Sequence, residues 1–377
     1  MKRNEFDYTV QDAQGSKVEP VSLETFDFEK YHQYELSLRE KCRSFWNSEE
    51  GVAVYRRFRA PGVFAYACKD MQLSLELQLG ALHESMKYKA DIPNFLEPWY
   101  GIGTITGAFG LEYIWEENQA PATKPRFSSI KQALEYDYQP VEKTEIGKHI
   151  LNMIEFFLEK TQGKIPMSLT DTQSPINMAS YLISIDKLFL EMYDNPEDYT
   201  TLLSVLSELL IAFSKKQQEL IGDVLVYPGH GFASSREFRG IGMSDDVSLM
   251  ISDEFFEKLE IPFREEVGSA FGGCAFHSCG NWARKIPAVK KIKNLIMVDG
   301  AFSAETDPDP NDAEPFAEEF CDTGIILNAR IVGDVESICA QVEKLWRPGM
   351  KLIVVTYCQT PDEQEEVYHR IHEICGC

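Results

Sequence analysis

From about Asn94 onward the chain alternates short apolar runs with amphipathic segments. The apolar runs include 165-IPMSLT, 224-VLVY, 274-CAFHSC, 295-LIMVD, 325-IILNARIV and 352-LIVVTYC, each closed by polar residues. Between and after them lie stretches of helical period: 176-INMASYLISI, 197-EDYTTLLSVLSELLIAFSKKQQELI, the basic 283-ARKIPAVKKIK, 312-DAEPFAEEF, 334-DVESICAQVEKLW and 361-PDEQEEVYHRIHEI. Such alternation predicts parallel strands joined by helical crossovers. About eight units of this kind predict a closed (β/α)8 TIM barrel, in which function gathers at the C-terminal strand ends. An open dinucleotide-binding sheet is not supported, because no G-x-G-x-x-G follows a strand. The segments 21-VSLETFDFEKYHQYELSLREKCRSFW and 70-DMQLSLELQLGALHESMKY are helical in period, with Ser22 as a candidate cap. They predict a helical N-terminal extension over residues 1–93, packed on a barrel of residues 94–377.

Composition narrows the partners. A formal charge of −23 argues against nucleic acid and anionic membranes. Against that field a small anionic substrate would need a local basic pocket. The N-terminus has no apolar run behind its basic residues, and nothing later is long enough to span a bilayer. Nine scattered cysteines, an odd number, read as thiols in a reducing compartment, so a cytoplasmic protein is expected.

Taking the polar residues that close each apolar run gives the candidate site. It contains Asp171 and Gln173, Tyr227 and His230, Asp246, His277 and Cys279, Asp299 and Cys358. His277 and Cys279 share one strand face, since side chains alternate with period 2, whereas Cys274 has the opposite parity. With Cys358 from the last strand they offer one imidazole and two thiolates. That donor set suits Zn²⁺ with a fourth position open, the pattern of a catalytic zinc. The same three residues also read as two buried thiols and an interior histidine. Asp171 or Asp246 could exchange a proton with a leaving group, or only stabilise loops at the barrel mouth. Asn281 could orient the zinc loop or simply form a turn. Trp99 and Tyr100 could wall a flat substrate or pack the barrel end. In the tail 369-HRIHEICGC, solvation of a helix surface outweighs a second metal site.

The segment HSCGN followed by Cys358 resembles the uroporphyrinogen decarboxylase superfamily, in particular its zinc-dependent, corrinoid-linked methyltransferase branch. So do 97-EPWYGIGTITGAFG, 170-TDTQSPINMAS and 244-SDDVSLMISDEFFEKLEIPFREEV, and the likeness runs from about Asn94 to the C-terminus. The resemblance implies a barrel with zinc on His277, Cys279 and Cys358. It also implies methyl transfer between a small methylated substrate (an ether, amine or thiol) and a cobalamin carried by a separate corrinoid protein. The acidic charge disfavours a sulfonated thiol acceptor and so favours release of an oxygen or nitrogen leaving group. One departure concerns the R-Q-A-G-R motif that grips carboxylates in the true decarboxylases: 56-RRFRAPG does not match it. A metal-independent decarboxylase therefore ranks below the methyltransferase, as does a non-catalytic barrel that only docks a corrinoid protein.

Overall fold

The protein was analysed as a computed structural model that describes residues 14–376. The N-terminal stretch read above for a leader lies mostly outside those residues, as does Cys377.

Six parallel strands form one sheet: β1 (Gly51–Arg56), β2 (Ile241–Ser244), β3 (Cys274–His277), β4 (Leu295–Ala301), β5 (Ile326–Arg330) and β6 (Lys351–Thr356). Their spatial order is β1-β6-β5-β4-β3-β2. From β1 back to β2 the circuit continues by sparse contacts. Asp91 N donates to Val54 O at 2.8 Å, and Gly242 N to Pro228 O at 2.9 Å. Single parallel bridges join Leu96 to Met167, Met167 to Leu225 and Gln173 to Ser244. The fold is thus TIM-barrel-like, with a continuous ladder on one side and no complete hydrogen-bonded closure on the other.

The helices start where a side chain can satisfy the first free amides. Asp70 accepts from Leu73 N at the head of Met71–Ser85, and Thr360 and Glu363 form a capping box on Pro361–Ile374. The first helix, Phe28–Asn47, is capped by Asp27 and not by Ser22, whose hydroxyl bonds Thr25 within the preceding turn. A second difference concerns residues 1–93. Gly51–Arg56 is a strand, so the sheet begins well before Asn94. The run VAVY is too short to stand out between two strong helical patterns.

Strand alternation divides the core into two faces. Ala53 and Tyr55, Ala275, Met297, Ile326, and Ile353, Val355 and Tyr357 belong to one buried cluster inside the barrel. Val52 and Val54, Cys274 and Phe276, Val298, Leu327, and Leu352, Val354 and Cys358 belong to the larger cluster shared with the helices.

Candidate functional site

The end of β3 is tied to the end of β2. Asp245 N donates to His277 O at 2.8 Å, and Cys279 N donates to Asp246 Oδ1 at 2.7 Å. Gly280, at φ +73°, turns the chain directly after Cys279, a conformation that glycine adopts without strain. These links bring His277, Cys279 and Asp246 together, with one ligand atom from each lying within 4.8 Å of the others. Among the described residues this is the only such group of three.

His277 is held from behind. Its Nδ1 donates to Asp299 Oδ2 at 2.6 Å, which leaves Nε2 facing Cys279 Sγ at 3.8 Å. Asp299 is fully buried and also receives Asn328 Nδ2 at 2.6 Å and Arg330 Nε at 3.0 Å. Burial alone would raise the Asp299 carboxyl, but Arg330, His277 and Asn328 hold it below the usual carboxylate range. Burial opposes a charged His277, yet its hydrogen bonds to Asp299 and Cys279 push the imidazole up to about 10.

The three donors suit zinc. Tetrahedral ligands at roughly 2.0–2.3 Å from the ion lie about 3.3–3.8 Å from one another. The gap between His277 Nε2 and Cys279 Sγ falls in that range. The carboxylate behind His277 is the customary support of a zinc-bound imidazole. Cys279 and Asp246 are exposed, so the group opens outward.

Cys358 does not join it. The inward-facing residues before it are Val355, in β6, and Tyr357, one residue past it, so its own side chain points to the helix layer. It is buried there, and burial pushes its thiol up to about 12. The group of three donors in the structure therefore contains the Asp246 carboxylate, from the neighbouring strand end, and not Cys358.

A second polar cluster lies on the sparsely bridged side. His230 Nδ1 bonds Glu97 Oε2, and His230 Nε2 lies 3.4 Å from Asp171 Oδ2. Asp171 also receives Trp99 Nε1 at 3.0 Å and Gln173 Nε2 at 2.6 Å. Gln173 Oε1 accepts in turn from Asn177 and from the Tyr181 hydroxyl at 3.0 Å. Tyr181 feels the charges of Asp171, Asp246 and Cys279, so it stands between the two clusters. Burial would raise Glu97, but His230, Arg57 and Arg59 keep it below its usual value.

Other expected site residues are placed differently. Tyr227 sends its hydroxyl to Gln218 on the helix Pro196–Ile221, which carries it away from both clusters. Asn281 accepts from Ala283 N at 3.1 Å within its own turn. Asp299 is occupied by three protein donors and so orients His277; its oxygens are not left for a substrate. Trp99 is buried against Phe64 as well as Asp171. Tyr100 stacks on His149 with centroids 3.7 Å apart, at an open cleft of about 500 Å³ that Trp115 also lines.

Glu97, Arg57, Arg330 and Tyr181 were not anticipated. Arg57 follows a strand hidden in the apparently helical segment, and Glu97 follows a proline-containing stretch with no clear apolar run. Arg330 lies in the apolar run 325-IILNARIV, and applying the strand-end rule to that run would have found it.

The uroporphyrinogen decarboxylase (URO-D) family model matches residues 50–365. No curated protein sequence matches the chain. Among solved structures, a methyltransferase from Methanosarcina mazei superposes with a TM-score of 0.61 at 15% identity, covering 90% of this chain and 99% of that one. A putative vitamin-B12-independent methionine synthase from Listeria monocytogenes gives a TM-score of 0.35 at 13% identity, covering 59% of this chain and 66% of that one. The family match spans most of the chain and agrees with the barrel described above: the protein belongs to the uroporphyrinogen decarboxylase family.

Proposed function

We propose that this protein is a zinc-dependent methyltransferase. It moves a methyl group between a small methylated compound and the cobalamin of a separate corrinoid protein. The observation that carries this reading is the group His277, Cys279 and Asp246, backed by Asp299. The likeness to a solved methyltransferase supports it. A decarboxylase that works without metal has no need of an exposed thiol beside a carboxylate-supported imidazole.

In this reading His277 Nε2, Cys279 Sγ and the Asp246 carboxylate hold the ion. Bound zinc supplies Lewis acidity to the oxygen, nitrogen or sulfur that loses or gains the methyl group. Asp299 keeps the proton on His277 Nδ1 and so keeps the Nε2 lone pair directed outward. Asp246 also anchors the loop through Cys279 N, fixing the thiol relative to the ring. On the sparsely bridged side, His230 lies between Glu97 and Asp171. Trp99 and Gln173 hold Asp171 still by hydrogen bonds. The pair of His230 and Asp171 then serves as acid and base for the heteroatom.

Elemental analysis of the purified protein, followed by an optical assay for methylcobalamin with Co(I) cobalamin and a panel of methyl donors, tests the reading. One zinc per chain is expected, lost in Cys279→Ser and Asp246→Asn but retained in Cys358→Ser. Full transfer activity in metal-free protein, or zinc that follows Cys358 instead of Asp246, would overturn it.

A further inference from the structure

The inward face of the barrel carries one more group that the metal reading does not use. Arg330, the last residue of β5, follows Ile326 and Asn328 on the lumen side, as strand alternation requires. Tyr357 follows Ile353 and Val355 in the same way, one residue past the end of β6. The two strands are adjacent in the sheet, with Arg330 paired to Val355. Arg330 Nε is committed to Asp299, but its Nη2 is buried and meets no hydrogen-bond partner among the described residues. The Tyr357 hydroxyl is likewise buried with no acceptor for its proton, since its polar neighbour Arg57 can only donate. Buried donors are nearly always satisfied, so two orphans side by side imply a partner that the chain itself does not supply.

The surroundings say what kind. Arg330 is under the electrostatic influence of Tyr357, Cys279 and Arg57, which places this corner beside the proposed metal group. Arg57 lies in the same layer, next to Tyr357 and 4.0 Å from Glu97. The guanidinium and the phenol offer N–H and O–H donors, and the two arginines bring positive charge that Asp299 and Glu97 largely offset. Asp299 and Glu97 stand close enough to repel a dianion. A planar monoanion fits these conditions best, since a guanidinium edge matches a carboxylate.

We propose that Arg330 Nη2 and the Tyr357 hydroxyl, supported by the charge of Arg57, form a carboxylate subsite. It would hold the acid group of a methylated substrate while the methyl-bearing heteroatom faces Cys279. This assignment rests on the reading of the barrel mouth as a methyl-transfer site. It supplies the local basic pocket that a chain of net charge −23 needs for an anionic substrate.

Calorimetric binding to the purified protein tests the subsite without any turnover. The probes are 4-methoxybenzoate against 4-methoxybenzamide, and methoxyacetate against methoxyacetamide. Each pair differs chiefly in charge. In at least one pair the acid should bind about 10- to 100-fold more tightly than the amide, the worth of a charge-assisted hydrogen bond. That preference should disappear in Arg330→Gln and shrink in Tyr357→Phe, a variant that keeps the arginine and the fold. Equal affinities within both pairs, including no binding by any probe, overturn the subsite. So does an acid preference that survives both substitutions. Failure of the methylcobalamin assay with the acid preference intact removes the methyltransferase reading and leaves the subsite. Transfer from an ether without any acid preference removes the subsite alone.

Discussion

The arc running from β2 through β3, β4, β5 and β6 to β1 and the arc through Leu96, Met167 and Leu225 hold their polar groups by different means. On the first, the ladder does the positioning. His277, Asp299 and Asn328 are successive register partners on three strands, so their side chains meet because the backbones are paired. On the second, single bridges leave the backbone less constrained, and the side chains fix one another. Glu97, His230, Asp171, Gln173 and Tyr181 form a polar chain from four separate segments, hydrogen-bonded except for the 3.4 Å contact between His230 and Asp171. The lesson is that the group of candidate metal donors is held by strand pairing, whereas the polar network on the sparsely bridged side is held by its own side chains.

The sharpest break of that contrast is to remove a ligand. His277→Ala or Cys279→Ser should abolish bound zinc and lower methyl transfer by about 1,000-fold or more, since both the metal's chemistry and its orientation go together. Elemental analysis and the methylcobalamin assay read this directly. On the other arc, Glu97→Gln should leave zinc content unchanged while the transfer rate falls by about 100-fold or more, the usual worth of a positioned acid or base. Loss of zinc in that variant would show that the two arcs are not independent.

Asp299→Asn removes the charge behind His277 while keeping its shape. Competition with a chromophoric chelator should show zinc affinity about 10- to 100-fold weaker, with the His230 network unaffected. A smaller effect concerns how the arcs are joined. Tyr199, on the helix Pro196–Ile221, donates its hydroxyl to Glu260, which lies buried in the helical segment between β2 and β3. Burial pushes the Glu260 carboxyl up to about 8, against an ordinary value of 4.5. Between those values the unfolded chain has released the proton and the folded chain still holds it. Stability is therefore fully present at low pH and is lost as the pH rises through this window. Glu260→Gln should flatten the decline, raising the melting temperature at pH 8 more than at pH 5. A parallel shift at both pH values would place the effect in packing instead.

The sequence carried most of the ladder-bearing arc, β1 excepted. Runs such as LIMVD and LIVVTYC are strongly β-branched or apolar and end in polar residues, so β3 to β6 and their ends were legible. The parity that put His277 with Cys279 and set Cys274 aside held in three dimensions. The same rule, applied across β6, would have turned Cys358 outward. That requires knowing which of its residues face the lumen, and an all-buried strand such as KLIVVT gives no alternation to read. Asp246 was recognised as a strand-end carboxylate, but its closeness to Cys279 depends on two backbone links between loop ends. Glu97 and Arg57 were hidden for a local reason: their segments have too few consecutive apolar residues to look like strands. Tertiary pairing made those segments part of the barrel, and no local propensity announced it.

The neighbouring positions of Tyr357 and Cys358 have an evolutionary consequence. Because each successive residue swaps faces, deleting a single residue from within β6 would carry Cys358 to the place that Tyr357 holds now. A thiol would then stand beside Arg57 and Arg330 where the phenol stands now. A single codon thus decides whether this part of the rim presents a phenol or a thiol to the lumen.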